Sequence, residues 1–373
     1  MPDSKPNKGN KAVNIVIVLC VVFAYAVIQH FMESSPGSLG LAQWFNSKNI
    51  MAEHHQKLIA KVERDPHFKN LDQERFVKEM ERIITMNHKR DLGGWVAYKS
   101  FTPNVKGQFV STNDFGMRSK LSLRAMAEKA RANKSNGIKN IILLGGSVAF
   151  GYGATGDEQS IAAVLNQHLD SERYEVFNLA QGGFTSFMDL FSLSSIAWHL
   201  EPDIVILLEG YADSYHLAYE SKGGQLAWGL WSGKEEEAEE RFAFDFQYHN
   251  LEAICKLAAP PDRRVILALQ PLSGFANDSA VEKEEIEKIY GYYPKIRKLF
   301  QSVAQKNDAE FLDLSTLFEN ESGANINFFD KAHLTDTGQE KVAKALAQSV
   351  AALQDPPVDP FQLRQQALSD ILN

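Results

Sequence analysis

The stretch that decides the fold is IILLGGSVAFGYG, residues 141–153. Ile141 to Leu144 form a short unbroken apolar run closed by Gly145 and Gly146. Such a run reads as a strand buried on both faces, the habit of parallel sheets. Ser147 follows where the strand would turn into a helix. A serine at that turn stands at the sheet edge, beside backbone N–H groups able to hold an oxyanion, and the glycines permit tight backbone geometry. The loop lacks the Gly-Lys-Ser/Thr end of a phosphate loop, and G-x-G-x-x-G is absent too. A plain turn is the competing reading.

The chain on either side keeps an alternating rhythm. Helices are predicted over Leu121–Asn133, Gln159–Leu169, Phe187–Trp198, Val281–Gln305 and Asp336–Leu353. Strands are predicted over Tyr174–Leu179, Ile204–Leu208, Val265–Leu269 and Glu310–Leu314. Strand, helix, strand in this order predicts an α/β fold with a parallel sheet covered on both faces. An insert between the third and fourth strands, about 211–261, holds Trp228, Trp231 and the acidic run 235–240. The run reads as a solvated helix face, and the tryptophans offer a cleft lining as the alternative.

Before this region the chain changes character. Residues 13–32, VNIVIVLCVVFAYAVIQHFM, carry no Asp, Glu, Lys or Arg, and a bilayer needs about 20 apolar residues as a helix. Lys5, Lys8 and Lys11 precede the segment and Glu33 follows it. The positive-inside rule keeps residues 1–12 in the cytoplasm and exports the rest. Ala24-Tyr25-Ala26 fits a cleaved signal peptide instead, and both readings put the remainder outside the cytoplasm. After a break at Ser34–Ser38, helical spacing over about 40–65 and 71–88 (Phe76, Met80, Ile83, Ile84) predicts a helical juxtamembrane segment, 33–90. A domain over 91–355 and a tail over 356–373 complete the expected organisation.

Composition removes several classes. The 373 residues suffice for a sizeable core. A net charge of −8 without a basic block excludes non-specific nucleic-acid binding. The two cysteines, Cys20 and Cys255, lie too far apart in context to suggest a disulfide, and no Cys/His spacing suggests zinc.

Ligands of open parallel sheets bind beyond the carboxyl ends of the strands, so the residues after each strand are the candidates. Ser147 follows the first strand, and Gly182-Gly183 the second. Glu209-Gly210-Tyr211-Ala212-Asp213-Ser214 follows the third. Asp330-Lys331-Ala332-His333 precedes the last helix, with Asp336 as a plausible N-cap. A carboxylate three residues before a histidine can hold the imidazole in a useful tautomer.

In this order the four blocks resemble the SGNH (GDSL-like) hydrolase superfamily, over about 95–353. Asn113, Gly116 and Arg118 also resemble an N-x-x-G-x-R lead-in of many members. The resemblance implies a flavodoxin-like three-layer α/β/α sandwich and a Ser147–His333–Asp330 triad, with the Ser147 and Gly183 amides as oxyanion hole and no cofactor or metal. The family's third block supplies an asparagine amide to that hole, and here Ala212 stands in its place. Gln181, Tyr211 and Ser214 are the neighbours able to supply a donor instead. Joined to the apolar segment 13–32, the resemblance implies an exported, membrane-tethered serine esterase acting on an acyl ester. Two other functions stay open: an O-acyltransferase modifying an envelope polysaccharide beside a multispanning acyl-transfer partner, and a non-catalytic binding protein of the same fold.

Overall fold

Ile141–Leu144 is the middle of the strand β1, Lys139–Gly145, and every residue from Asn140 to Gly145 is buried. The computed structural model describes residues 55–56, 58–85, 101–219, 236–258, 263–273, 280–319 and 326–353. The chain divides at Leu58/Ile59 into two units. The first falls almost wholly outside the described residues, and the second carries the sheet. The expected cytoplasmic tail, the apolar segment 13–32, Trp228, Trp231 and the tail 356–373 also lie outside the described residues. Among the described residues no helix is long and apolar enough to cross a membrane.

In chain order the elements of the second unit are α1 (Gln73–Thr85), α2 (Leu123–Ser135), β1, α3 (Ser147–Phe150), α4 (Ile161–His168), β2 (Tyr174–Asn178), α5 (Ser186–Ser195), β3 (Ile204–Glu209), α6 (Tyr211–Tyr219), α7 (Glu236–Ala258), β4 (Arg264–Leu269), α8 (Ala280–Lys306), β5 (Glu310–Asp313) and α9 (Asp336–Ala352). The five strands are all parallel, in the order β2-β1-β3-β4-β5. This is the flavodoxin-like order.

Alternation along the strands builds the two faces. Ile142, Leu144, Val205, Leu207, Val265 and Leu267 enter one apolar cluster with residues of α2, α5, α7 and α8. Ile141, Leu143, Ile206, Leu208, Ile266 and Ala268 alternate with them and are no less buried, while α4 packs on β2 and α9 on α4. Each fully buried Leu, Ile or Val side chain contributes about 1.5–3 kcal/mol relative to exposure. That is why the strands read as continuous apolar runs rather than alternating ones.

The insert after β3 resolves into α6 and α7, and residues 236–240 of the acidic run are helical. Residues 66–85, read from the sequence as part of a juxtamembrane segment, belong to the sheet-bearing unit. A 3-10 turn at Pro66–Phe68 and the apolar stripe of α1 bury Phe68, Phe76, Met80 and Ile83 almost completely. Phe68 packs on Phe76 and Phe329, with ring centroids 4.9 and 5.8 Å away, and Phe76 packs on Phe109 at 5.4 Å. The helical spacing is legible in the sequence, but Phe329, which meets Phe68, lies far along the chain.

Candidate active site

The sheet order reverses between β1 and β3, the switch point at which open α/β sheets bind ligands. Both flanking strands end there in a glycine turn. Gly145 takes φ +140°, and a Cβ on it would lie 2.1 Å from Leu208 O, so only glycine lets β1 leave the sheet here. Gly146 then caps the four-residue helix α3, and Ser147 is its first residue. The Ser147 N–H is therefore not used by the helix ladder, and its side chain is half-buried.

The turn before α9 brings His333 to this serine. Asp330 Oδ1 accepts the N–H groups of Ala332 and His333, at 2.9 and 2.7 Å, closing the turn on itself. The Phe328–Leu334 bridge and the bond from Phe329 N to His333 O, 3.1 Å, fix its base. His333 Nδ1 lies 2.7 Å from Asp330 Oδ2, and Nε2 lies 2.8 Å from Ser147 Oγ. A carboxylate only accepts, so Nδ1–H donates to Asp330 and Nε2 is left to accept from the serine hydroxyl. Asp330 and His333 are 17% and 20% exposed, so solvent reaches the pair without dissolving it. Burial works against the Asp330 charge, yet the facing His333, the His333 bonds and Lys61 hold its pKa well below the usual carboxylate range. The cap of α9 differs from expectation. Thr335 Oγ accepts from Gly338 N, and Asp336 is the first helical residue. Asp336 instead receives the N–H and hydroxyl of Thr155, because its side chain points out of the turn toward the loop after α3.

Tyr152 and Phe329 flank the imidazole, with centroids 4.6 and 5.7 Å away. The lead-in motif supports the same loop. Asn113 Oδ1 accepts from Phe115 N and Met117 N. Arg118, its side chain 1% exposed, pairs with Asp157 at 3.0 Å and donates to Gly151 O and to Phe109 O.

The second block runs beside the Ser147 turn, with Gln181 N bonded to Gly145 O at 3.0 Å. Gly183 is exposed at φ +73°, and a Cβ there would meet nothing within 4 Å. No hydrogen bond among the described residues engages its N–H or that of Ser147. Of the three substitutes for the missing amide, two are committed elsewhere. Gln181 accepts from Phe101 N and donates to Phe115 O, at 3.0 and 3.3 Å. The Ser214 hydroxyl donates to Gly210 O. The Tyr211 ring stacks on Tyr215.

Sequence reasoning missed Asp189 below the turn and gave Glu209 and Asp213, within the third block, no role. Asp189 and Glu209 are wholly buried and Asp213 is 4% exposed. Signals were present: an acid in the apolar helix around Phe187–Phe191, and another ending the run Ile204–Leu208.

A parallel sheet of this order, with a serine after β1 and an Asp-x-x-His turn before the last helix, defines an α/β acyl hydrolase of the SGNH class. The GDSL-like lipase/acylhydrolase family matches residues 143–341, which carry all four blocks, and the chain belongs to that family. Similar solved structures include the acetyl xylan esterase AlAXEase, at 18% identity and a TM-score of 0.41, over 57% of this chain and 99% of that one. The lipase/acylhydrolase from Enterococcus faecalis is 18% identical over 60% of this chain and 100% of its own, with a TM-score of 0.42. The extracellular lipase from Streptomyces rimosus is 17% identical over 57% and 100%, with a TM-score of 0.42. No curated protein sequence matches the chain.

Proposed function

We propose that this chain is a serine esterase cleaving an acyl ester through Ser147, His333 and Asp330. The observation that carries the reading is the single imidazole within hydrogen-bond reach of Ser147 Oγ on one side and Asp330 on the other. His333 Nε2 takes the hydroxyl proton as Ser147 Oγ attacks the ester carbonyl, and Asp330 stabilises the imidazolium that forms. The Ser147 and Gly183 amides receive the oxyanion. His333 then protonates the departing alcohol, and water, activated by the same imidazole, releases the acid. Ser147→Ala should reduce hydrolysis of short p-nitrophenyl esters to background; turnover equal to wild type would sink the assignment.

Residues 13–32 are the membrane anchor in this reading, with residues 1–12 cytoplasmic and the catalytic unit periplasmic or extracellular. Esters on envelope glycans are then within reach as substrates. Membrane fractionation with protease added from outside tests this, because a catalytic unit protected in intact cells contradicts it.

Ala212 favours a second reading. A hole short of one donor favours slow chemistry or none, and hence a non-catalytic binding protein of the same fold. Acyl transfer to a sugar hydroxyl, beside a multispanning acyl-transfer partner, would use the same three residues as hydrolysis. Product analysis with and without an acceptor glycan separates transfer from hydrolysis.

A further inference from the structure

Beneath the Ser147 turn three elements each contribute a carboxyl group. Asp189 comes from α5, Glu209 ends β3 and Asp213 lies in the first turn of α6. They do not form a group that could hold a metal ion. Asp189 Oδ1 accepts from Gly145 N at 2.9 Å, and Glu209 Oε2 accepts from Gly210 N at 3.2 Å. Their second oxygens, Asp189 Oδ2 and Glu209 Oε1, are fully buried and meet no hydrogen-bond donor.

Glu209 lies directly under the residue before the nucleophile. A Cβ on Gly146 would stand 3.3 Å from Glu209 Oε2 and 3.4 Å from Oε1. A larger residue at 146 would press on this carboxyl, so Gly146 and Glu209 fit as a pair. Two buried acceptor oxygens without donors are a steep penalty if both groups are ionised. A proton on Glu209 lowers it, because protonation discharges that group and turns its orphaned acceptor into a donor.

We propose that Glu209 is a positioning residue for the nucleophile turn and that it works as the neutral acid. The proposal rests on Ser147 being the nucleophile. Burial first, then the charges of Asp213 and Asp189, push Glu209 well above the usual carboxylate range, against the Gly210 and Gly146 amides, which favour the charged form. Burial first, then Asp213, does the same to Asp189. From α8 comes the Tyr293 hydroxyl, which donates to Gln270 O and is itself pushed up by burial and by Glu209. From α5 comes Ser186, whose N–H and hydroxyl face Asp213, and from α7 comes Asn250, which donates to Ser186 Oγ.

A raised folded pKa fixes the sign of the pH dependence. The fold holds a proton that the unfolded chain releases above about 4.3. Stability is therefore greatest below that pH and falls as pH rises toward the folded value. Glutamine copies the neutral acid and carries no proton to lose.

The test compares full-length wild type, Glu209→Gln and Glu209→Ala in detergent. Thermal melting is followed from pH 4.5 to 9, with the rate of labelling by a fluorophosphonate at neutral pH. Glu209→Gln should fold, be labelled within about threefold of wild type, and gain melting temperature relative to wild type as pH rises. Glu209→Ala should be labelled about a hundredfold more slowly, the scale of loss for a misplaced reacting group. The proposal is overturned if Glu209→Gln fails to fold, or is labelled as slowly as Glu209→Ala. It is overturned equally if its melting temperature tracks wild type at every pH. Should even wild type resist the probe, the esterase reading fails, while the melting curves still decide whether the buried proton exists.

Discussion

The ring of Tyr152 leans on the imidazole of His333, with centroids 4.6 Å apart and planes tilted by 50°. Tyr152 lies in the loop that follows the nucleophile helix, so the loop that ends α3 also limits the imidazole's rotation. Phe329 lies on the same imidazole, its plane tilted by only 22°. Tyr152 is buried, so removing the ring, as in Tyr152→Ala, leaves a cavity beside the histidine. Urea unfolding should show a loss of about 3–5 kcal/mol, the range for truncating a buried aromatic, and ester turnover should fall with it. Tyr152→Phe should keep most of both. Unchanged turnover in Tyr152→Ala would show that the imidazole is held without the ring.

Asp330 sets a pH dependence of the opposite sign to that of Glu209. Its folded pKa lies below its unfolded value of about 3.9. The stabilisation is thus present above that value and is lost as pH falls through the folded one. Asp330→Asn removes it. Unfolding at pH 7 should show the variant weaker than wild type, and the gap should narrow as pH drops below about 4. Its kcat should fall by about 10,000-fold, the scale of losing the carboxylate that orients a triad histidine.

Ala212 offers a test by gain. A side-chain donor in an oxyanion hole contributes about 2.7–4 kcal/mol. Ala212 is only half-buried, which leaves room for a larger side chain. Ala212→Asn should raise kcat on short esters by about tenfold or more. A decrease, with folding unaffected, would mean that position 212 does not face the hole.

Arg118 links the lead-in motif to the loop after Ser147 through Gly151 O. Its charge is buried with Asp157, and breaking such a pair costs about 3–5 kcal/mol. Arg118→Ala should lose that much in chemical denaturation. Arg118→Lys should recover less than half, because an ammonium cannot reproduce the guanidinium's three divergent bonds.

The strands were legible almost residue by residue. Ile141–Leu144 and Ile204–Leu208 are apolar on both faces, and a buried parallel strand leaves no other signature. The contact of Ser147, His333 and Asp330 was legible because the serine follows a strand and the Asp-x-x-His turn precedes a helix, where sequence spacing translates into place. The stripe of α1 was visible but not its destination, since periodicity names a buried face and not its partner. Glu209 escaped because an acid ending an apolar strand reads as the first exposed residue. Only the parallel register that sets Leu208 beside Gly145 shows it lying under Gly146, the residue before Ser147. The Thr335 cap escaped for a smaller reason: Thr and Asp are adjacent and both cap well.

Nothing probes the role of Ser147 more directly than covalent labelling of the folded protein by a fluorophosphonate, with the adduct mapped by mass spectrometry. Stoichiometric modification is expected on the peptide carrying Ser147, abolished in Ser147→Ala and slowed in His333→Ala. An adduct on another residue, or a folded protein that takes up no probe, would contradict the nucleophile assignment.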